Sequence, residues 1–315
     1  MRYLKTIGLI AVEGRGFRFP YDVAFSSDGR MFVLNRVRVR DATGTRIQIC
    51  TLDEEYLGEF GSGKGTGDDQ FMVPVSMAFD SQDMLYVTDE ALNEVKVFDN
   101  TGNFIRRWGS HMDNGEGLAG PSGIAIDRED DVYVAERNNN RVHKLSSDGV
   151  SILKWGEAGT GEGQFNKPWG VAVDSQNNVY VADWRNNRIQ KFDSAGAYLA
   201  DIGSQGLGNG QFNLPSDVAV DLEGSIFVSD WGNHRIQMFS DSGQHIGVYE
   251  GEATLSKWGT IKLDANSEMY PERDLDCDLE REKKFRSHIA LAIDSEDRLM
   301  VLESLRHRLQ VYTKW

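Results

Sequence analysis

Hydrophobic and polar residues alternate with period two through most of this chain. Residues 170–174 read GVAVD, a polar turn QNN follows, then VYVAD (179–183), the turn WRNN, and RIQKFD (188–193). After the turn SAG comes AYLADIG (197–203). Period two marks a strand with one buried face, whereas a helix repeats its apolar positions about every 3.6 residues. The pattern therefore predicts four short strands joined by tight polar turns.

The unit recurs. KPWGVAVDSQNNVYVADWRNNRIQKF (167–192) is nearly restated 47 residues later as LPSDVAVDLEGSIFVSDWGNHRIQMF (214–239). Aligned on the opening proline, copies begin at Pro20, Pro74, Pro121, Pro168 and Pro215, and a sixth begins at His288 as HIALAIDSEDRLMVLESLRHRLQVY. The last three proline steps are 47 residues and the first is 54. Self-similarity at this period signals a solenoid or a propeller, and the termini decide between them. YLKTIG (3–8) matches the fourth strand YLADIG (198–203), while the sixth copy stops after its third strand. Joined end to end, His288 and Pro20 are again 47 residues apart. A linear stack has no reason to keep register across its own ends. The expectation is an all-β, six-bladed β-propeller of four-stranded blades, one domain over residues 1–315, closed by the N-terminal strand.

P-x-G-[VI]-A-[VI]-D, then [VI]-Y-V-A-[DE], then N-x-R-[VI]-x-K-[FL], then W-G or I-G resembles the NHL repeat, over essentially the whole chain and most clearly in blades 3, 4 and 5. The resemblance implies a six-bladed propeller and no single activity. Its members include protein- or RNA-binding propellers of the TRIM-NHL type and the peptidyl-hydroxyglycine amidating lyase. Related six-bladed propellers include streptogramin-lyase-like and lactonase-like enzymes, which often hold a divalent metal at the channel mouth. Fold alone does not choose among these.

Charge narrows the partners. The formal net charge of −15 repels phosphate backbones and anionic lipid, so DNA and membrane surfaces are excluded and RNA is disfavoured. No window approaches the ~20 apolar residues of a membrane span, and the N-terminus lacks a secretory pattern; a cytoplasmic location is the expectation. Cys50 and Cys277 have no metal-ligand spacing, and the sequence leaves open whether they pair.

Much of the repeated phrase reads as scaffold. Acid and arginine recur five residues apart as Glu136–Arg141, Asp183–Arg188, Asp230–Arg235 and Glu303–Arg308, suited to a charge-assisted hydrogen bond across one turn. Asn138, Asn139, Asn186 and Asn187 suit left-handed turn positions. GKGTG (63–67) imitates a phosphate loop but recurs in GTGEGQF and GLGNGQF as an interblade link. Blade 2 breaks the rule, with Glu94 where arginine is expected, facing Asp89. That pair should loosen its turn or bind a cation.

Function should sit where the repetition fails. Blade 1 lengthens its second-to-third turn (insertion 36–45), and about 26 extra residues enter the link between blades 5 and 6, over roughly 251–287. In an up-and-down blade these connections share a face, so both insertions decorate one channel mouth. Leu255, Trp258, Ile261 and Met269 suggest a cap folding onto it. Asp274, Asp276, Asp278 and Glu280 alternate like a calcium loop but lack its glycine. Arg36, Arg38, Arg40 and Arg46, with Arg306 and Arg308 of blade 6, are candidates for an anion site.

Register places Tyr21, Asp22, Ser76, Ser122, Trp169, Ser216, Asp217, His288 and Ile289 on the channel rim. His288 stands where proline is expected and is the candidate metal ligand, while His234 and His307 replace a turn asparagine and should point outward. Trp184 and Trp231 follow the turn acids, farther from the axis. The ligand- or partner-face candidates are thus Tyr21, Asp22, Arg36, Arg38, Arg40, Trp169, Asp217 and Arg306. The favoured reading is a binding or assembly module for a protein partner or small anionic ligand. The alternative is a metal-dependent lyase or hydrolase at the channel mouth.

Overall fold

Six four-stranded antiparallel sheets form, one per repeat, in the computed structural model of the chain, which describes residues 1–37, 44–110, 117–270 and 278–314, without the side chains of Leu279 and His288. Arg38, Arg40, Asp274, Asp276 and Cys277 lie outside the described residues. Blade 4 is representative: Val171–Val173, Val179–Asp183, Arg188–Phe192 and Tyr198–Ile202, each paired with the next. First strands of consecutive blades contact one another around a closed circuit that returns from blade 6 to blade 1. Arg2–Ile7 pairs with Arg308–Thr313, with Arg2 opposite Thr313 and Ile7 opposite Leu309. The N-terminal strand is therefore the fourth strand of the last blade, and it removes the open edge at which another chain could pair.

Burial follows position within the blade. Second and third strands are sandwiched between neighbouring blades and almost wholly buried, while fourth strands alternate, leaving Ile105, Ile152, Leu199 and Ile246 exposed on the perimeter. Four of the six interblade links insert one phenylalanine between blades, Phe17, Phe71, Phe165 and Phe212, all fully buried, and the link before blade 3 inserts Leu118 instead. A side chain of that size contributes roughly 2–3 kcal/mol by leaving water. The glycines around it make the link, not a phosphate cradle. Gln164 and Gln211 turn back so that Oε1 accepts from the amides of Gly161 and Gly208.

The turn acids behave as the sequence predicts. Asp183 Oδ2 accepts from Arg188 Nε at 3.0 Å, Asp230 from Arg235 at 2.7 Å and Glu136 from Arg141 at 2.8 Å. The other end of two of these guanidiniums donates to link carbonyls, Arg188 to those of Gly161 and Gln164 and Arg235 to those of Gly208 and Gln211. The asparagines divide their work differently from the expectation. Asn140 and Asn187 take the left-handed backbone, whereas Asn139 and Asn186 donate their amides to the turn acid. In blade 2 the cation is internal: Lys96, fully buried, donates Nζ to the carbonyls of Gly67 and Gln70 and lies 3.6 Å from Glu94. Lysine two residues on takes the place of the missing arginine at the link carbonyls, so a cation of the chain itself stands beside the pair.

The described part of the long insertion does not cap the channel. Its helix α1 (Lys257–Asp264) packs Trp258 edge-on against Phe17, 5.7 Å between ring centres, and anchors on Glu54 in the third-to-fourth turn of blade 1. The helix thus plugs the outer seam between blades 6 and 1, because the buried indole finds its apolar partner and its hydrogen-bond acceptor there. Leu255, Ile261 and Met269 remain exposed. The helix α2 (Leu279–Lys283) of the same insertion meets the second-to-third turn of blade 6.

Candidate functional site at the channel mouth

Register converts the repeat into rings around the axis. The residue after each opening position gives Tyr21, Val75, Ser122, Trp169, Ser216 and Ile289, and the next gives Asp22, Ser76, Gly123, Gly170, Asp217 and Ala290. The residue after each turn acid, or its counterpart Asn35 in blade 1, gives an outer ring of Arg36, Glu90, Arg137, Trp184, Trp231 and Ser304. Three tryptophans from these rings meet. A cavity of about 130 Å³ at the mouth is lined by Tyr21, Trp169, Trp184, Ser216, Trp231 and Ile289. Trp169 and Trp184 lie 6.0 Å apart between ring centres.

Guanidinium groups flank this bowl. Arg36 stacks 4.3 Å from the Tyr21 ring centre, Arg137 4.9 Å from Trp169, and Arg185 5.3 Å from Trp184. Arg137 is neutralised by Glu90 at 2.6 Å. Burial raises the Tyr21 phenol above its ordinary range, opposed by the Arg36 charge beside it.

Below the bowl the channel narrows to about 20 Å³, bounded by Asp22, Ser76 and Asp217 with the walls of Tyr21 and Trp169. Asp22 Oδ1 accepts from Val23 N at 2.8 Å, and Oδ2 from Met77 N of the next blade at 2.6 Å. Asp217 Oδ2 likewise accepts from Leu291 N of blade 6 at 2.8 Å. Gly170 makes room for it, since a Cβ there would lie 2.1 Å from Asp217 Oδ1. Burial pushes Asp22 up to about 7, with hydrogen bonds from Ser76, Met77 and Val23 opposing. Asp217 is raised well above the carboxylate range by burial and then by the charge of Asp22.

Of the residues singled out from sequence, Tyr21, Asp22, Arg36, Trp169 and Asp217 gather at this mouth. Arg306 is drawn off: its guanidinium binds Glu282 and the Arg281 carbonyl, and its side chain is 8% exposed. Arg46 pairs with Glu59 and Arg308 with Glu303. His307 does not point outward; Nδ1 accepts from Phe19 N at 2.9 Å, the bond that Asn187 Oδ1 makes to Leu214 N. Its pKa is lowered by burial and by Arg18, in keeping with the neutral ring this bond requires. His143 is buried between Glu136 and Ser151. His288 opens the first strand of blade 6, but its side chain is outside the described set. Among the described residues no three His, Cys, Asp or Glu side chains gather as metal ligands. Cys50 is a free, buried thiol pushed up to about 12, chiefly by burial.

Sequence reasoning set Trp184 and Trp231 away from the axis and passed over Arg137 and Arg185. The turn-acid register held the signal for Arg137, Trp184 and Trp231, which each follow a turn acid and border the mouth, but not for Arg185, one residue further on.

A six-bladed propeller with an aromatic mouth defines the class. Residues 118–145, 165–192 and 212–239 match the NHL repeat family, so the chain carries NHL repeats in blades 3, 4 and 5. No curated protein matches it in sequence. A streptogramin B lyase structure aligns over 99% of this chain and 98% of its own, with a TM-score of 0.60 and 13% identity. The virginiamycin B lyase of Staphylococcus aureus aligns over 99% of both chains (TM-score 0.59, 12% identity). A structural-genomics protein of unknown function from Bacteroides thetaiotaomicron covers 99% of this chain and 73% of its own (TM-score 0.66, 14% identity). At such identities the likeness establishes the fold alone. No described helix is long and apolar enough to cross a membrane.

Proposed function

We propose that the propeller is a recognition module whose mouth, on the face of the second-to-third turns, receives an apolar side chain presented by a protein partner. The observation that carries this is the bowl of about 130 Å³ between Tyr21, Trp169, Trp184 and Trp231. An apolar cavity of roughly 150 Å³ holds a benzene-sized group, so there is room for one aromatic or branched aliphatic side chain. Tryptophan and tyrosine are also the anchors that dominate binding energy at interfaces. The net charge of −15 argues against a nucleic-acid backbone as the partner.

Random-peptide display against the immobilised protein tests the reading. The expected result is a consensus with one large apolar residue, and binding at least tenfold weaker for Trp169→Ala and Trp231→Ala at unchanged Tm. Selection without an apolar consensus, or one indifferent to both substitutions, sinks it.

A second reading, a lyase or hydrolase, is favoured by the buried pair Asp22 and Asp217 under the bowl. A carboxyl titrating near 7 is suited to proton transfer at neutral pH. Several solved propellers of similar fold are lyases. The pair itself does not fit a metal, because both oxygens of Asp22 and one of Asp217 accept backbone amides. A divalent metal would have to rest on His288. Stoichiometric metal in protein purified without chelators, lost in His288→Ala, would support that version. Turnover of a lactone panel, lost in Asp217→Asn, would support the metal-free one.

A further inference from the structure

The bowl has a sign of charge opposite to the rest of the molecule. The chain carries −15, yet Arg36 and Arg185 make no ion pair among the described residues. They stack on opposite walls, Arg36 on Tyr21 of blade 1 and Arg185 on Trp184 of blade 4. Arg137 has Glu90, so the mouth keeps two uncompensated guanidinium charges. Most arginines elsewhere in the turns are paired with an acid. Arg36 also holds Nη1 buried with no hydrogen-bond acceptor. A guanidinium held flat against a ring, with an unused donor, is pre-arranged for an oxygen anion.

Two features select which anion. The bowl is mainly apolar and has room for one side chain, so the charge must be attached to an apolar body. On the floor burial disfavours the charged form of Asp217, and the charge that Asp22 carries near its pKa of about 7 repels a doubly charged phosphate more than a singly charged carboxylate. A cationic ligand is opposed by both free arginines.

Resting on the recognition reading above, we propose that the partner presents its C-terminal residue, its apolar side chain entering the tryptophan bowl while its terminal carboxylate meets Arg36, with Arg185 adding field from the opposite wall. The C-terminus is the one place on a protein where an apolar side chain and a carboxylate share a carbon atom.

Titration of tryptophan fluorescence with acetyl-Gly-Gly-Phe tests this against its C-terminal amide, 3-phenylpropionate, phenyl phosphate and phenethylamine. The peptide acid is expected to bind at least tenfold more tightly than the amide and than phenylpropionate. Arg36→Ala should erase the acid-over-amide preference, Arg36→Lys should keep part of it, and Arg128→Ala, on an exposed turn of the other face, should leave it intact. Equal binding of acid and amide, lost in Trp231→Ala, overturns the carboxylate inference and leaves the recognition reading standing. Preference for the amine or the phosphate overturns it likewise. Tighter binding of phenylpropionate than of the peptide makes the ligand a small acid and removes the C-terminal source. No binding by any probe overturns both readings.

Discussion

The molecule buries two kinds of carboxyl, and they differ in their company. In the second-to-third turns Glu136, Asp183, Asp230 and Glu303 are fully buried, and each pairs with an arginine of its own blade, while in blade 2 the buried Asp89 accepts from backbone amides and Lys96 lies beside its neighbour Glu94. On the axis Asp22 is buried and Asp217 partly so, and they have only amides, a hydroxyl and each other. The consequence is visible at Glu136, although at Asp183 burial still raises the carboxyl against the hydrogen bonds of Asn166, Asn186 and Arg188. Burial opposes the charge of Glu136, but hydrogen bonds from His143, Arg141 and Asn139 outweigh it and hold the group below its ordinary value. Burial alone dominates at Asp22. A charge balanced inside every repeat is part of the scaffold; a charge that occurs in two blades and is balanced in neither marks the place where an outside group makes a difference.

The largest expected effect is to make a turn acid resemble an axial one. Lys96→Ala leaves Glu94 and Asp89 buried beside each other with no ammonium between them and the carbonyls of Gly67 and Gln70. Removing one partner of a buried ion pair costs about 3–5 kcal/mol, and Arg188→Ala in blade 4 should fall in the same range. Urea denaturation measures both. A loss below about 1 kcal/mol in each would mean that the turn cations do not hold the blades, and the contrast with the axis would collapse.

The next effect reads the axial pair directly, through pH. Asp22 binds its proton more tightly folded than unfolded, with a pKa of about 7 against the usual 3.8. Its contribution to stability is therefore fully present below about pH 4 and is lost as pH rises through about 7. Asp217 acts in the same direction. A three-unit shift corresponds to at most about 4 kcal/mol. Glu136, with its lowered pKa, contributes in the opposite sense: its share is present above the ordinary glutamate pKa and is lost as pH falls. Tm should accordingly peak in mildly acid solution and fall towards pH 8, and Asp22→Ser should flatten that alkaline limb. A wild-type Tm that is level from pH 5 to 8 would show that the axial carboxyls are solvated.

How much of this was legible in the sequence follows from which contacts the repeat itself makes. Strands, turn pairs and ring closure depend on residues within one 47-residue unit or on its period, so Asp183–Arg188 and the pairing of Arg2–Ile7 with Arg308–Thr313 could be read directly. The bowl needs residues from several blades. Tyr21, Trp169 and Trp231 belong to three repeats, and only the register of two ring positions, combined, brings them together. The insertion was harder still. Nothing in LSKWGTIKL says whether Trp258 turns inward to the mouth or outward to the seam. The buried Phe17 face and the Glu54 carboxylate, about 200 residues earlier in the chain, decide it. His307 misled for a local reason, because an imidazole Nδ1 can accept the same amide as an asparagine oxygen.

The smallest effect sharpens the comparison most, since it moves charge within a turn without removing it. Blade 2 carries Glu94 and Lys96 where blade 4 carries Arg188 and Gln190. In blade 4 the arginine donates to Gly161 O and Gln164 O, and the glutamine donates to Gln164 O and Asp183. In blade 2 one lysine reaches both corresponding carbonyls, Gly67 and Gln70. If the turn requires only a cation that joins the acid to the link, the double substitution Glu94→Arg/Lys96→Gln should restore the arrangement of blade 4. It should fold within about 1 kcal/mol of the parent. Each single substitution should be worse. Glu94→Arg places a second cation beside the buried Lys96, and Lys96→Gln strands Glu94, whose pKa burial already raises. A double-mutant cycle in urea should therefore show a coupling of about 2 kcal/mol or more. Additive losses would instead mean that each side chain is fitted to its own blade, and that the acids of the turns are as individual as Asp22 and Asp217 on the axis.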